Sequence, residues 1–253
     1  MKQFIRDVLA IAQDRIRQQL RVKVWVAMEV IEPIMWLVLY SQLYTDQVTR
    51  PFLGERTYLD FFVPGLVVMS CFFSSSWCGL GLLDRMRSGF INRLLVTPVS
   101  RTAIILGYSV ALIASLWWQV MLVMATACVM GWRPPLTFDF FAVIFVVITL
   151  IGLAFSSLSF ALTFIGQSED AIIPVLNFVQ LPMLFLSGIF LPLSVSPVWV
   201  QWAAKFNPLG WAHKMLSHSD TPFASPSISW MVGLVLFAGI SLIVARRSVR
   251  PMQ

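Results

Sequence analysis

Glu29 and Glu32 stand one helical turn apart in an otherwise apolar run, so a helix places them on one face, and Glu32 directly precedes the kink-prone Pro33. A charge at mid-membrane costs on the order of 2.5–3.5 kcal/mol on insertion scales, so such groups usually face protein or water. Two roles fit the pair. The carboxylates either reach the interface or pair with nearby arginines, or they take part in gating an inner cavity. A second set of chemically active residues is the basic, amphipathic stretch from Asp84 to Arg101. Met86, Phe90, Ile91, Leu94 and Leu95 recur there at helical spacing, Arg85, Arg87, Arg93 and Arg101 supply positive charge, and Thr97-Pro98 makes a natural stop. Such a helix either rests its apolar face on lipid or docks a soluble partner and passes that partner's movement to the spans on either side.

Other candidates for chemistry are weaker. His213 and His218 lie near Ser217, Ser219 and Asp220, which resembles an active site in composition, but no motif surrounds them and their spacing is wrong for a helical metal pair. Cys71, Cys78 and Cys128 all fall inside apolar blocks, as packing residues do, rather than forming a disulfide or metal framework. No G-x-x-x-x-G-K-[ST] phosphate loop occurs, so the chain is expected to bind no ATP and to be no enzyme, with no catalytic, cofactor-binding or metal residues.

The elements that must position these residues follow from composition. The chain is 58% hydrophobic and 12% charged, far from the mix of soluble globular domains, and it reads as one polytopic membrane domain over 1–253. Lipid offers no water to unpaired backbone groups, so apolar blocks of this length are expected to be helices rather than barrel strands. Spans are predicted at Trp25–Tyr44, Leu59–Leu83, Ile104–Met130, Phe140–Ile165, Ala171–Leu191 and Ile228–Ala245. With both termini cytosolic, the inside carries Lys2, Arg6, Arg15, Arg17, Arg21, Lys23, Arg85, Arg87, Arg93, Arg101, Arg246, Arg247 and Arg250. The outside then holds only Arg50, Arg56, Arg133, Lys205 and Lys214, which satisfies the positive-inside rule.

Ahead of the first span, residues 1–23 place Ile5, Val8, Leu9, Ala12, Ile16 and Leu20 at helical spacing among Arg6, Arg15, Arg17 and Arg21, the pattern of a helix lying in an anionic membrane surface. Charges run throughout it, which excludes a secretory signal. In the stretch 192–220, Val198, Trp199, Trp202, Ala203 and Phe206 share a face between Pro197 and Pro208, and a short outer helix, re-entrant or lying on the surface, is predicted. Gly152-x-x-x-Ser156, with Ser157 and Ser159, forms a small-residue packing face, and Glu169-Asp170 suits a helix start.

The run Tyr58-Leu59-Asp60-Phe61-Phe62-Val63-Pro64-Gly65 is similar to the Y-x-x-F-x-x-P-G opening of the second span in type-2 ATP-binding-cassette (ABC) exporter permeases. Leu94-Leu95-Val96-Thr97-Pro98-Val99-Ser100-Arg101 resembles that family's L-x-x-T/A-P-x-x-R segment. Glu32-Pro33, then Leu186-Ser187-Gly188-Ile189-Phe190-Leu191-Pro192, and finally Asn207-Pro208-Leu209 follow the family order. The family includes permeases of drug-resistance, nodulation and polysaccharide exporters. The resemblance implies an all-α integral membrane protein with six transmembrane helices, an N-terminal interfacial helix, a cytosolic coupling helix and a short outer-surface segment. It implies a homodimer or heterodimer in the inner membrane of a prokaryote, surrounded by lipid and binding no nucleic acid. Separate ABC ATPase subunits would carry ATP and Mg, and would dock at Arg85, Arg87, Phe90, Arg93, Leu94, Leu95 and Arg101. The second and fifth spans would line the pathway, bringing Met69, Phe72, Phe73 and Trp77 towards Asn177, Gln180, Leu181 and Met183 to carry an amphipathic drug, lipid or glycolipid. The rival function is a proton-coupled secondary transporter using Glu29 and Glu32 without an ATPase; the sequence shows no inverted repeat to support it.

Overall fold

The computed structural model describes residues 2–21, 23–44, 51, 57–89, 100–135, 137–190, 192–217 and 225–248. Those residues form helices and turns, with no strand among them: α1 (Lys2–Arg21), α2 (Lys23–Leu43), α3 (Tyr58–Arg87), α4 (Arg101–Val129), α5 (Phe138–Gly166), α6 (Glu169–Phe185), a 3₁₀ turn (Leu193–Val195), α7 (Val198–Ala204), α8 (Pro208–Ser217) and α9 (Ser225–Ser248). The predicted loop helix with Phe90, Arg93, Leu94 and Leu95 lies outside the described residues, as do His218, Ser219 and Asp220.

Helix starts are written in the sequence. Thr57 and Asp60 form a capping box, the Thr57 hydroxyl accepting from the Asp60 N–H at 3.3 Å and the Asp60 carboxylate accepting from the Thr57 N–H at 3.2 Å. Ser100, Thr137 and Ser168 cap α4, α5 and α6 through their side-chain oxygens. Four helices, within α3, α4, α5 and α9, are long and apolar enough to cross a membrane. Two others are not among them: α2, which holds Glu29, Glu32 and Pro33 along its 21 residues, and α6, with 17. The predicted fifth span was to run to Leu191, but the helix ends at Phe185. The N–H of Leu186 turns back to the Pro182 carbonyl at 3.0 Å, and Gly188 takes a φ of 75° that helical residues cannot share.

At the centre α3 packs against α5, and α9 packs against α5 as well. The small-residue face of α5 sets these distances. Ser156 meets Ser109 of α4 at 3.0 Å, and Ser159 accepts a hydrogen bond from the Gly79 N–H of α3 at 3.0 Å. A Cβ at Gly79 would fall 2.5 Å from both Ser159 Oγ and Thr163 Oγ1 and 2.7 Å from the Ser159 carbonyl, so only glycine permits this approach. The outer stretch enters the bundle rather than only lying on it: α8 buries Leu209, Ala212, Met215 and Leu216 among α3, α5 and α9, whereas α7 leaves Val198, Trp199 and Trp202 exposed. His213 belongs to this buried face, its Nε2 3.3 Å from the Phe61 carbonyl and its ring edge-on to Phe61. α1 docks against α4, with Ile11 and Ala12 buried and Ile11 seated at Gly107, while Phe4, Ile5 and Leu9 stay exposed on another face.

This packing yields a paired expectation. Gly79→Ala forces backbone to move and should destabilise by about 1–3 kcal/mol, whereas Gly239→Ala, which meets nothing within 4 Å, should not. Thermal unfolding of the two detergent-solubilised variants checks it; equal midpoints would contradict the close crossing.

Candidate functional site

α1, α2, α3, α4 and α6, with Phe160 of α5, line a cavity of about 1280 Å³. Its floor is a hydrogen-bonded belt that crosses four helices, and the belt begins with a defect. Pro33 has no N–H, so the carbonyl four residues earlier, that of Glu29, loses its helical partner. In lipid such an orphan must be satisfied by a neighbour. Gln119 of α4 does so, its Nε2 donating to the Glu29 carbonyl at 2.6 Å, while its Oε1 accepts from Ser74 Oγ of α3 at 3.0 Å. On the other side, Gln19 Nε2 of α1 reaches both carboxylate oxygens of Glu29 at 3.1 Å, and Gln19 Oε1 accepts from Ser115 Oγ at 3.3 Å. Five polar side chains thereby tie α1, α2, α3 and α4 at one level.

Charge gathers at the α1 end of the cavity. Arg15 lies with its guanidinium 5.9 Å from the Tyr108 ring centroid, a cation–π distance. Arg85 forms an ion pair with Asp14 and donates from Nε to Gln18 Oε1 at 2.9 Å, joining the end of α3 to α1. Arg87 Nη1 pairs with Glu169 Oε1 at 2.6 Å, joining the same end of α3 to the start of α6. At the far end, Tyr40, Tyr58, Phe62 and Phe190 stack with centroids 5.0–5.4 Å apart, closing the bundle beyond Trp36.

Of the residues expected along a pathway, Met69, Phe73, Trp77, Asn177, Gln180 and Leu181 line this cavity, and so do Glu29 and Glu32. Phe72 and Met183 do not. Phe72 is buried edge-on against Phe155 of α5, with centroids 4.6 Å apart, and Met183 accepts at its carbonyl from Asn207 Nδ2 at 2.6 Å. Of the expected coupling residues, Arg85 and Arg87 are engaged as above, and Arg101 opens α4. Sequence reasoning missed Gln19, Trp36, Ser74, Tyr108 and Gln119. Gln119 had a readable signal, as the one amide in the apolar α4; Gln19 had none, because it sits in a helix already polar.

The family model described as ABC-2 type transporter matches residues 6–219. The chain belongs to the ABC-2 type transporter family. Proteins named as permeases are similar to it over most of its length. A protein of Porphyra purpurea named as transport permease ycf38 is 28% identical over 252 residues, 94% of this chain and 86% of the relative. The inner membrane transport permease YadH of Escherichia coli K12 is 27% identical over 246 residues, 90% and 91% of the two chains. The daunorubicin resistance ABC transporter permease protein DrrB1 of Streptomyces coeruleorubidus is 24% identical over 225 residues, 85% and 74%. As an ABC-2 permease the chain is a membrane-embedded transport subunit, of a family generally paired with an ABC ATPase subunit.

The belt has a specific thermodynamic signature. Gln119→Leu strands the Glu29 carbonyl and should cost about 1–3 kcal/mol. Pro33→Ala restores the main-chain N–H, so in that background Gln119→Leu should cost about 1 kcal/mol less. A double-mutant cycle on thermal stability reads the coupling, and strict additivity would rule out the shared carbonyl.

Proposed function

We propose that this permease is the six-crossing subunit of an ATP-driven exporter and that the cavity is its path for an amphipathic molecule. In this reading α2 and α6 complete the crossings begun by the four apolar helices. α2 spans about 31 Å at 1.5 Å per residue, enough for a hydrocarbon core of about 30 Å. α6 falls short, and the turn from Leu186 to Phe190 finishes its passage. The excess of Lys and Arg expected at the α1 end supports a cytosolic position for both termini. A second permease chain, a copy or a paralogue, closes the cavity on its open side, and separate ATPase subunits carry ATP with its Mg.

The observation that carries the reading is where the last turn of α3 is fastened. This turn leads into the predicted docking helix, and its Arg85 and Arg87 bond to α1 and α6, two walls of the cavity. Force applied at the loop therefore reaches the walls directly. Arg87 and Glu169 are 46% and 48% exposed, and an ion pair so exposed contributes about 0–1 kcal/mol. That suits a contact made and broken in every cycle better than a structural brace. Glu29, held by Gln19 of α1, moves with the same assembly, which gives it a gating role. One relative is named for daunorubicin resistance, which agrees with an amphipathic small-molecule substrate.

Affinity capture of the tagged chain from its native membrane tests the proposal. Wild type should bring down an ATPase subunit, and Arg93→Glu combined with Leu94→Asp should lose it. Wild type recovered alone after gentle solubilisation and crosslinking would remove the motor and favour proton-coupled transport.

A further inference from the structure

The walls of the cavity are not fastened alike. The first half of α6 belongs to the apolar interior, where Ile172 and Leu176 share a buried cluster with Leu83 of α3. The wall made by α1 and α2 does not. Along α1, apolar core contact ends at Ile11, and along α2 it resumes at Trp36. Between those points no described side chain joins an apolar core cluster, and the fastenings to α3 and α4 are polar. Asp14 and Gln18 hold Arg85, Arg15 faces the Tyr108 ring, Gln19 meets Ser115, and the Glu29 carbonyl meets Gln119.

Each end of this wall has a point about which it can turn. Ile11 fills the space where a side chain on Gly107 would stand, which makes a compact pivot on α4. Pro33 leaves the Glu29 carbonyl without a helical donor, and helices bend readily at such a place. The second half of α1 and the first turns of α2 therefore form a flap along one side of the cavity. Asp14 is half exposed, so the ion pair that docks the flap on α3 is weak enough to exchange.

A second pair stands ready and unmade. Arg21 lines the cavity from the flap and Asp84 lines it from α3, and neither side chain has a hydrogen bond or ion pair among the described residues. Both adjoin a contact that exists: Arg21 lies about one helical turn beyond Gln18, Asp84 directly precedes Arg85, and Gln18 accepts from Arg85 Nε at 2.9 Å. Travel of about 5 Å, one turn of helix, would bring Arg21 to the place that Gln18 now holds.

We infer that the flap is the inner gate of the cavity and works by exchanging ion pairs: Asp14 with Arg85 docks it open against α3, as in this structure, and Arg21 with Asp84 holds it across the mouth when closed. This rests on the cavity being an ATP-driven path and adds which wall moves. Closure parts Gln19 and Glu29 from Ser115 and Gln119, so the open state is the resting one. Two alternative ion pairs make the element bistable rather than loose.

The test uses the complete transporter complex in lipid nanodiscs, with Cys71, Cys78 and Cys128 replaced by alanine, and a short bis-methanethiosulfonate linker. Arg21→Cys with Asp84→Cys should crosslink about tenfold more after vanadate trapping than without nucleotide. Gln19→Cys with Ser115→Cys should show the reverse. Charge then tests the pair itself: Arg21→Glu should lower the vanadate-trapped fraction about tenfold, and Arg21→Glu with Asp84→Arg should restore most of it. Crosslinks that ignore nucleotide, in complexes that still hydrolyse ATP, overturn the gate and leave the path standing. An Arg21→Glu defect that Asp84→Arg does not rescue overturns the exchange of pairs. A chain that brings no ATPase into the complex overturns the inference together with the motor beneath it.

Discussion

The arrangement depends on one main-chain carbonyl. Pro33 removes the donor that the Glu29 carbonyl would have had, and no water in a bilayer core can replace it. Gln119 fills the gap at 2.6 Å, and once its amide is committed there, Ser74, Ser115, Gln19 and the Glu29 carboxylate fall into place around it. A kinked first membrane helix is thereby fastened to α4, α3 and α1 by polar contacts at the cavity floor rather than by interdigitated apolar side chains alone. The cavity above exists because α2 is tied at this level and not packed along its whole length.

Two kinds of contact divide the labour. α3 against α5 is close and buried, with Gly79 against Ser159 and Thr163 leaving no room to slide; this is the part that stays rigid. α1 and α6 are held to the end of α3 by charged contacts at the bundle's edge, where solvent and salt weaken them. Free energies of this size are easily exceeded by the docking of a protein partner. Movement is therefore expected at the cavity walls and not at the central crossing. The ring stack of Tyr40, Tyr58, Phe62 and Phe190 closes the far end and must part before anything leaves by that route.

Much of this was legible in the residues. Apolar block lengths located the four helices that are long and apolar enough to cross a membrane to within several residues, because the cost of an unpaired backbone in lipid leaves few alternatives. The motif around Tyr58 and Pro64 pointed to the right family, and six of the eight expected lining residues do line the cavity. Phe72 failed because adjacent residues on a helix point about 100° apart: Phe73 faces the cavity and Phe72 must therefore face α5. Met183 failed because Asn207 draws that turn of α6 towards α8. The early end of α6 and the burial of α8 were hidden because Gly188 acts through its left-handed φ and Asn207 through a tertiary hydrogen bond to the Met183 carbonyl, neither of which hydropathy registers. The partners chosen by Gln19 and Gln119 belong to the same class: an amide in an apolar span announces a polar role but not its partner.

The proposal that the cavity is the substrate path, with walls that move when an ATPase partner closes, is open to a direct test. With Cys71, Cys78 and Cys128 replaced by alanine, a single cysteine at Asn177 can be probed with a membrane-impermeant maleimide in the complete transporter complex. The account predicts labelling from the α1 side without nucleotide, and loss of that labelling when ATP hydrolysis is trapped with vanadate. Labelling that is unchanged by nucleotide from either side would contradict it.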